Sequence, residues 1–335
     1  MKKYLMLIYL SPLVLLSQQA DEIRNETITD IAFGSCSKQD KVDDQLWDEI
    51  NTLDADLWIW LGDNIYGDTE DMSVMRAKYD LQKSHPGYEA LVDQMDVLGI
   101  WDDHDFGVND GGKEYPKKDD SKIEMFRFLE VAEDHPSRSR KGAYQSYIYK
   151  GDKNIKIILL DTRYFRDPLK KDDKNWNTQD PTGKVLGAAQ WEWLEKQLQE
   201  DEVDLYIIAS GIQVIPTEHR FEKWDNFPLE RNRLLDLISK VDQPLTLVSG
   251  DRHISEVSVI EHKGKRIYEF TSSSLTNPWS KPSEESNRFR EKDIVYKTNF
   301  AYLNMVWSES TLKLEVKYIG KGNEVCQTHQ VIFDL

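Results

Sequence analysis

The chain has 335 residues, two cysteines and a formal net charge of −17. A chain this acidic, with no basic stripe, repels nucleic acid and anionic membrane surfaces, so those partners are excluded, while divalent cations are favoured. Its length is that of one α/β unit with a large core, and a single domain over residues 21–335 is expected.

At the start, "MKKYLMLIYLSPLVLLSQQA" places two lysines before an apolar run broken by Ser11 and Pro12. The run is too short and interrupted to span a bilayer, and reads as a secretory signal over residues 1–20, cleaved near Ala20. The mature chain is then expected to be exported, periplasmic or extracellular, without a stable membrane anchor and with a charge of about −19.

Next come six apolar runs rich in β-branched and aromatic residues: "ITDIAFGSC", "DLWIWLGD", "DVLGIWDD", "NIKIILLD", "DLYIIASG" and "PLTLVSGD". Each reads as a buried strand. Helical patterns lie between several of them: "VDDQLWDEINTL", "SVMRAKYDLQK", "SKIEMFRFLEVAE", "AAQWEWLEKQLQE" and "PLERNRLLDLISK". This alternation predicts a layered α/β architecture. Towards the C-terminus, "EVSVIEH", "KRIYEFTSS", "AYLNMVWSES", "TLKLEVKYI" and "QTHQVIFDL" alternate in character and predict antiparallel strands completing a second sheet. Three polar stretches without periodicity, "DGGKEYPKKDD", "FRDPLKKDDKNWNTQDPTGK" and "WSKPSEESNRFREKD", read as long surface loops of the kind that shape a site's mouth.

Polar residues recur where the strands end: Cys36, Asp63 and Tyr66, Asp103 and His104, Asp161 and Arg163, Gln213, and Asp251 and His253. One Asp after a strand is an ordinary turn former or cap. Six such strand ends predict convergence on one crevice, because ligands of open α/β sheets bind beyond the carboxyl ends of the strands. Thiolate, phenolate and imidazole suit a transition metal such as iron; carboxylates and an amide oxygen suit calcium or magnesium. Cys36 could pair with Cys326 in an exported protein, or act as ligand or nucleophile; spacing does not decide between these.

In order, "FGSC", "LGDNIYGD", "WDDHDFGVND", "LLDTRYF" and "SGDRH" resemble the PhoD-like phosphatases (alkaline phosphatase D family) of the metallophosphoesterase superfamily. The resemblance implies an α/β/β/α sandwich of two mixed sheets with a dinuclear Fe3+ and Ca2+ centre at the strand ends. Asp63 then corresponds to the bridging carboxylate, Tyr66 and Cys36 to ligands on the iron side, and Asp103, Asp251 and His253 to further metal ligands. The carboxylates Asp103 and Asp251 stand where the wider superfamily has Asn and His, which favours calcium over zinc at the second site. Gln213, marked only by "SGIQ", is a ligand or orients a water or substrate. His104 corresponds to the catalytic histidine. Arg163 either faces the substrate phosphate or forms a salt bridge with Asp161 or another carboxylate.

Asp102 and Asp105 either hold His104 or act as caps. Asn64, Asn109 and Asp110 are site candidates without a stated role, and the other five histidines and Cys326 are read as ordinary residues. Trp176 and Trp279, in the two later loops, either stack on a substrate or anchor packing. The implied activity is hydrolysis of phosphate mono- or diesters through a metal-bound hydroxide, on a small molecule or a cell-envelope polymer. The alternative is a non-catalytic calcium-binding surface protein that keeps the fold, but calcium has no use for Cys36, Tyr66 and His253.

Overall fold

The computed structural model describes residues 20–41, 45–200, 202–279 and 285–335. The signal-like segment through residue 19 lies outside the described residues. No helix among those described is long and apolar enough to cross a membrane.

The strands are β1 (Glu22–Arg24), β2 (Asp30–Gly34), β3 (Leu57–Leu61), β4 (Asp96–Ile100), β5 (Gln145–Lys150), β6 (Asn154–Leu160), β7 (Lys170–Lys171), β8 (Asn177–Thr178), β9 (Leu205–Ser210), β10 (Leu245–Ser249), β11 (Ser255–His262), β12 (Lys265–Ser272), β13 (Asn299–Trp307), β14 (Thr311–Gly320) and β15 (Glu324–Asp334). The helices are α1 (Trp47–Asn51), α2 (Met72–Lys83), α3 (Pro86–Gln94), α4 (Asp103–Phe106), α5 (Lys118–Phe128), α6 (Pro136–Ser139), α7 (Gly187–Gln197) and α8 (Pro228–Ile238). Two mixed sheets carry the fold. One runs β1-β5-β6-β9-β10-β12-β11, the other β15-β14-β13-β2-β3-β4.

Apolar runs without alternation mark strands covered on both faces, and the packing shows this residue by residue. In β6, Ile155, Ile157 and Leu159 belong to the core that includes residues of both sheets. Their neighbours Ile158 and Leu160 join Trp191 and Leu194 of α7 and Leu234, Leu235 and Ile238 of α8. On the second sheet, Trp58 and Trp60 of β3 meet Trp47 of α1 edge-on at 5.5 and 5.4 Å between ring centroids. Trp60 also donates its indole N–H to the Tyr88 hydroxyl of α3 at 3.0 Å. Helices therefore cover both sheets, as the resemblance implies.

The C-terminal expectation needs a correction. β13, β14 and β15 do complete the second sheet as antiparallel strands beside β2. β11 and β12 instead extend the first sheet, with β12 parallel to β10. The last six residues of β12 are all buried, the mark of a central strand rather than a half-exposed meander. Strands β1, β5, β7 and β8 and helices α3, α4 and α6 were not predicted. α3 opens with Pro86 behind a capping His85, whose Nδ1 accepts the Gly87 N–H at 3.2 Å.

Register brings the strand ends to one level. β2, β3 and β4 are parallel, as are β6, β9 and β10. Leu160 pairs with Ser210, and Ser210 with Ser249, so the turns after all three begin side by side.

Candidate active site

Three turns into the site, after β2, β3 and β10, depart from ordinary backbone. Cys36, Asp63, Asp251 and His253 all adopt positive φ, at 59°, 49°, 71° and 56°. Non-glycine residues held there carry strain of roughly 1–3 kcal/mol each, which surrounding contacts must offset. Two glycines let the turns approach closely. At Gly62, with φ of 95°, a Cβ would lie 2.3 Å from the Asp102 Cβ, and at Gly250 it would lie 2.5 Å from the Leu61 carbonyl oxygen. The second contact joins the end of β10 to the end of β3, across the two sheets.

Asp105 holds two of the turns in place. Its carboxylate accepts the backbone N–H groups of Asp63 at 3.2 Å, Asn64 at 3.3 Å and Asp102 at 2.7 Å, and the Tyr79 hydroxyl at 3.4 Å. Asp161 does the same between β4 and β6. It accepts the Trp101 indole N–H at 2.8 Å and the N–H groups of Ala143, Arg163 and Tyr164. Asp161 is thus a brace between the sheets, buried away from the cleft.

Six of the strand-end residues converge, together with Asp102. Donor atoms of Cys36, Asp63 and His253 lie within 4.8 Å of one another, as do those of Asp63, Asp103 and His104, and those of Asp102, Asp103 and Asp251. Asp63 belongs to the first two sets, and Asp103 joins the second to the third. The Cys36 Sγ is 3.3 Å from an Asp63 oxygen and 3.1 Å from the Ser273 hydroxyl. His253 donates from Nδ1 to the Asn277 carbonyl at 2.6 Å, which leaves Nε2 as the free lone pair. The Tyr66 ring lies 4.2 Å from that of His104, and its hydroxyl accepts an N–H from Asn277 at 3.1 Å. His104 donates from Nδ1 to Asp68 at 2.8 Å.

This donor set fits cations. Burial pushes the Asp63, Asp102 and Asp251 carboxyls well above the usual carboxylate range, and neighbouring acids, Asp103 for each of the three, push them further. Burial also raises the Cys36 thiol and the Tyr66 phenol. Asp103 is the exception. Burial would raise it too, but Arg163 and His104 bring it to about 2. Burial opposes the charged form of His104, yet Asp63, Asp68 and Asp103 outweigh it and raise the imidazole to about 10. So many carboxylates cannot all ionise in one buried space without countercharge, which bound metal ions would supply.

Gln213 and Arg163 stand apart from the cleft wall. Gln213 donates from Nε2 to Glu256 at 2.8 Å and Thr271 at 2.9 Å, which leaves its Oε1 buried without a partner among the described residues. Arg163 is completely buried beneath the cleft. Its Nε donates to Asp102 and its Nη1 to Glu222, at 2.7 and 2.6 Å. Of the two readings, the structure shows the salt bridge, made to Asp102 and Glu222 rather than Asp161. Both cysteines are free. His85 and His135 cap helices, while His262 and His329 face Asp236 and Glu291.

The cleft itself measures about 510 Å3. Asp63, Asp103, His104, Asp251 and His253 line it together with residues that sequence reasoning did not single out: Lys171, Lys174, Arg220, Phe221, Glu222 and Arg252. Arg252 sits inside the quoted "SGDRH", so a signal was present; the others come from loops without periodicity. Asn109, Asp110, Trp176 and Trp279 are also on the wall.

A family model described as PhoD-like phosphatase matches residues 69–320. The chain belongs to the PhoD-like phosphatase family. It is accordingly a phosphoric ester hydrolase of metal-dependent type. The matched region contains Asp103, His104, Arg163, Gln213, Asp251 and His253, whereas Cys36, Asp63 and Tyr66 precede it. A solved structure titled "Structure of PhoD" superposes with a TM-score of 0.71 at 18% identity, over 92% of this chain and 69% of that one, and shows the shared fold. The Thermus thermophilus protein TT1561 is more distant, with a TM-score of 0.39 at 11% identity over 74% of this chain and 92% of that one. No curated protein matches the sequence. Within this PhoD-like frame, Asp68, Asn277 and Ser273 hold His104, His253 and Cys36 in place.

Proposed function

We propose that the chain acts after export as a single-domain phosphoesterase, hydrolysing phosphate mono- or diesters with Fe3+ and Ca2+ held at the strand ends. The observation that carries this reading is Asp63, shared between a set with thiolate and imidazole donors and a set that leads on to Asp103 and Asp251. Cys36, Tyr66 and His253 offer thiolate, phenolate and imidazole, donors that iron takes, and Asp103 and Asp251 the oxygen donors calcium takes. Gln213, with its unpartnered Oε1, is proposed as an outer ligand or water-orienting group. Bound there, the cations would supply Lewis acidity towards the phosphoryl oxygens and towards a water.

The protein's own part is orientation and proton transfer. Asp68 fixes the His104 ring through Nδ1, so that Nε2 is the atom that can protonate or stabilise the leaving alkoxide. Arg163 locks Asp102 below the α4 turn and so acts as a positioning residue. Export rests on the lysine-then-apolar start of the chain alone.

The test is Asp63→Asn, with metal content by elemental analysis alongside paired aryl monoester and diester assays. Loss of about 100-fold or more in activity and of about one equivalent of metal is expected on removing a carboxylate that both cations would use. A folded variant with full activity and full metal content would sink the dinuclear reading.

A further inference from the structure

The structure places two arginines near the strand ends, and only one faces the cleft. Arg163 is spent on two buried carboxylates. Arg252, between Asp251 and His253, lines the cleft although only 3% of its surface is exposed.

Three contacts fix the Arg252 guanidinium. Its Nη2 donates to both carboxylate oxygens of Glu285 at 2.6 Å. The guanidinium carbon lies 4.2 Å from the centre of the Phe221 ring, which supports it from one face. The backbone on both sides is at positive φ, so the residue's direction is set by the turn itself. Glu285 engages only one of the three nitrogens. Nε is buried and has no partner among the described residues. A guanidinium presents its donors in a planar fork that matches the oxygens of phosphate, and leaving one of those donors dry is unfavourable.

We propose that Arg252 is the guanidinium that binds the substrate phosphate, held ready by Glu285 and Phe221. The inference rests on the phosphoesterase reading above and reassigns within it the role the sequence offered to Arg163. The turn that carries Asp251 and His253 thereby supplies the phosphate clamp as well as two metal donors.

The test uses the purified full chain and the variants Arg252→Lys and Arg252→Ala, with Glu285→Gln as a third that keeps the arginine but frees it. Steady-state kinetics on an aryl phosphate monoester, competition by inorganic phosphate, direct phosphate titration by calorimetry and metal analysis are read together. Arg252→Lys is expected to raise KM and weaken phosphate binding about tenfold or more, with a smaller change in kcat and unchanged metal content, because a point charge replaces the fork. Glu285→Gln is expected to give a smaller rise in KM. KM and phosphate affinity within twofold of wild type in a folded, metal-loaded Arg252→Lys protein would overturn the assignment while leaving the hydrolase reading intact. A wild type that binds phosphate through Arg252 but turns over neither ester class would overturn the proposed function instead. A wild type that neither binds phosphate nor hydrolyses would overturn both.

Discussion

Glu269 lies on β12 under the turn that follows β9, wholly buried, and its two carboxylate oxygens accept the N–H groups of Val214 at 2.8 Å and Ile215 at 2.7 Å. Those bonds favour the ionised form, but burial dominates and pushes the carboxyl up to about 7. A carboxyl raised in the folded state holds a proton there that the unfolded chain has already released. Its contribution to stability is therefore present below the unfolded value and lost as pH rises through about 7. Between pH 5 and 7.5 the wild type should lose about 1–3 kcal/mol relative to Glu269→Gln, read from urea unfolding at several pH values. Parallel pH profiles for the two proteins would show that Glu269 is ionised throughout. Asp105 shows the same balance: burial pushes its carboxyl up to about 7 against the three backbone N–H groups it gathers from two turns, and it so sets where Asp63 and His104 stand.

Among the secondary-structure elements, helix α7 lacks a cap of its own. Its N-cap residue, Leu186, makes no side-chain hydrogen bond. The cap comes from α8, where Glu230 accepts the Val185 and Leu186 N–H groups at 3.0 and 3.4 Å and the Trp191 indole N–H at 2.8 Å. This ties the two helices covering the first sheet to each other through a buried carboxylate. Glu230→Ala would strand those donors, and a loss of about 2–4 kcal/mol is expected, seen as a lower urea midpoint at unchanged slope. A loss below about 0.5 kcal/mol would mean that water replaces the carboxylate at no cost. α4 shows why short elements escape sequence reading. Its four residues carry Asp103 and His104, yet four residues show no helical period, so the sequence offers Asp102 and Asp105 as caps without showing the helix they cap.

Taken as a whole, the molecule carries −17 and yet must admit a phosphate anion. The outer wall of the cleft answers this with cations from the loop that bears β7 and β8 and from the segment after β9. Lys174 and Arg220 both lie 5.6 Å from the Trp176 ring, which is 44% exposed. Trp279 packs edge-on against Phe221 at 5.2 Å, so it serves as a packing anchor on the same wall. Replacing Lys174 and Arg220 together by Gln should lower kcat/KM for a phosphate monoester about three- to tenfold near 10 mM salt, where the screening length is about 30 Å. Near 150 mM, with a length of about 8 Å, the difference should shrink. An equal loss at both ionic strengths would point to direct contact rather than steering.

Much of this protein was legible in the chain by itself. Buried runs such as "DLWIWLGD" and "TLVSGD" encode a strand and the polar turn after it within a few residues, so six strand ends, the layered α/β class and most of the side chains that converge on the cleft could be read locally. Tertiary structure decided what depends on partners far away in sequence. β12 became a central strand because β10 and β11 flank it, not because of its own pattern. Arg163 and Arg252 both follow strand-end aspartates and are chemically identical. Asp102 and Glu222, some 60 residues away on either side, bury one beneath the site. Glu285 and Phe221 hold the other on the cleft wall. Local sequence fixes which side chain leaves a strand end, but the charges and rings it meets are set only when the two sheets close on each other.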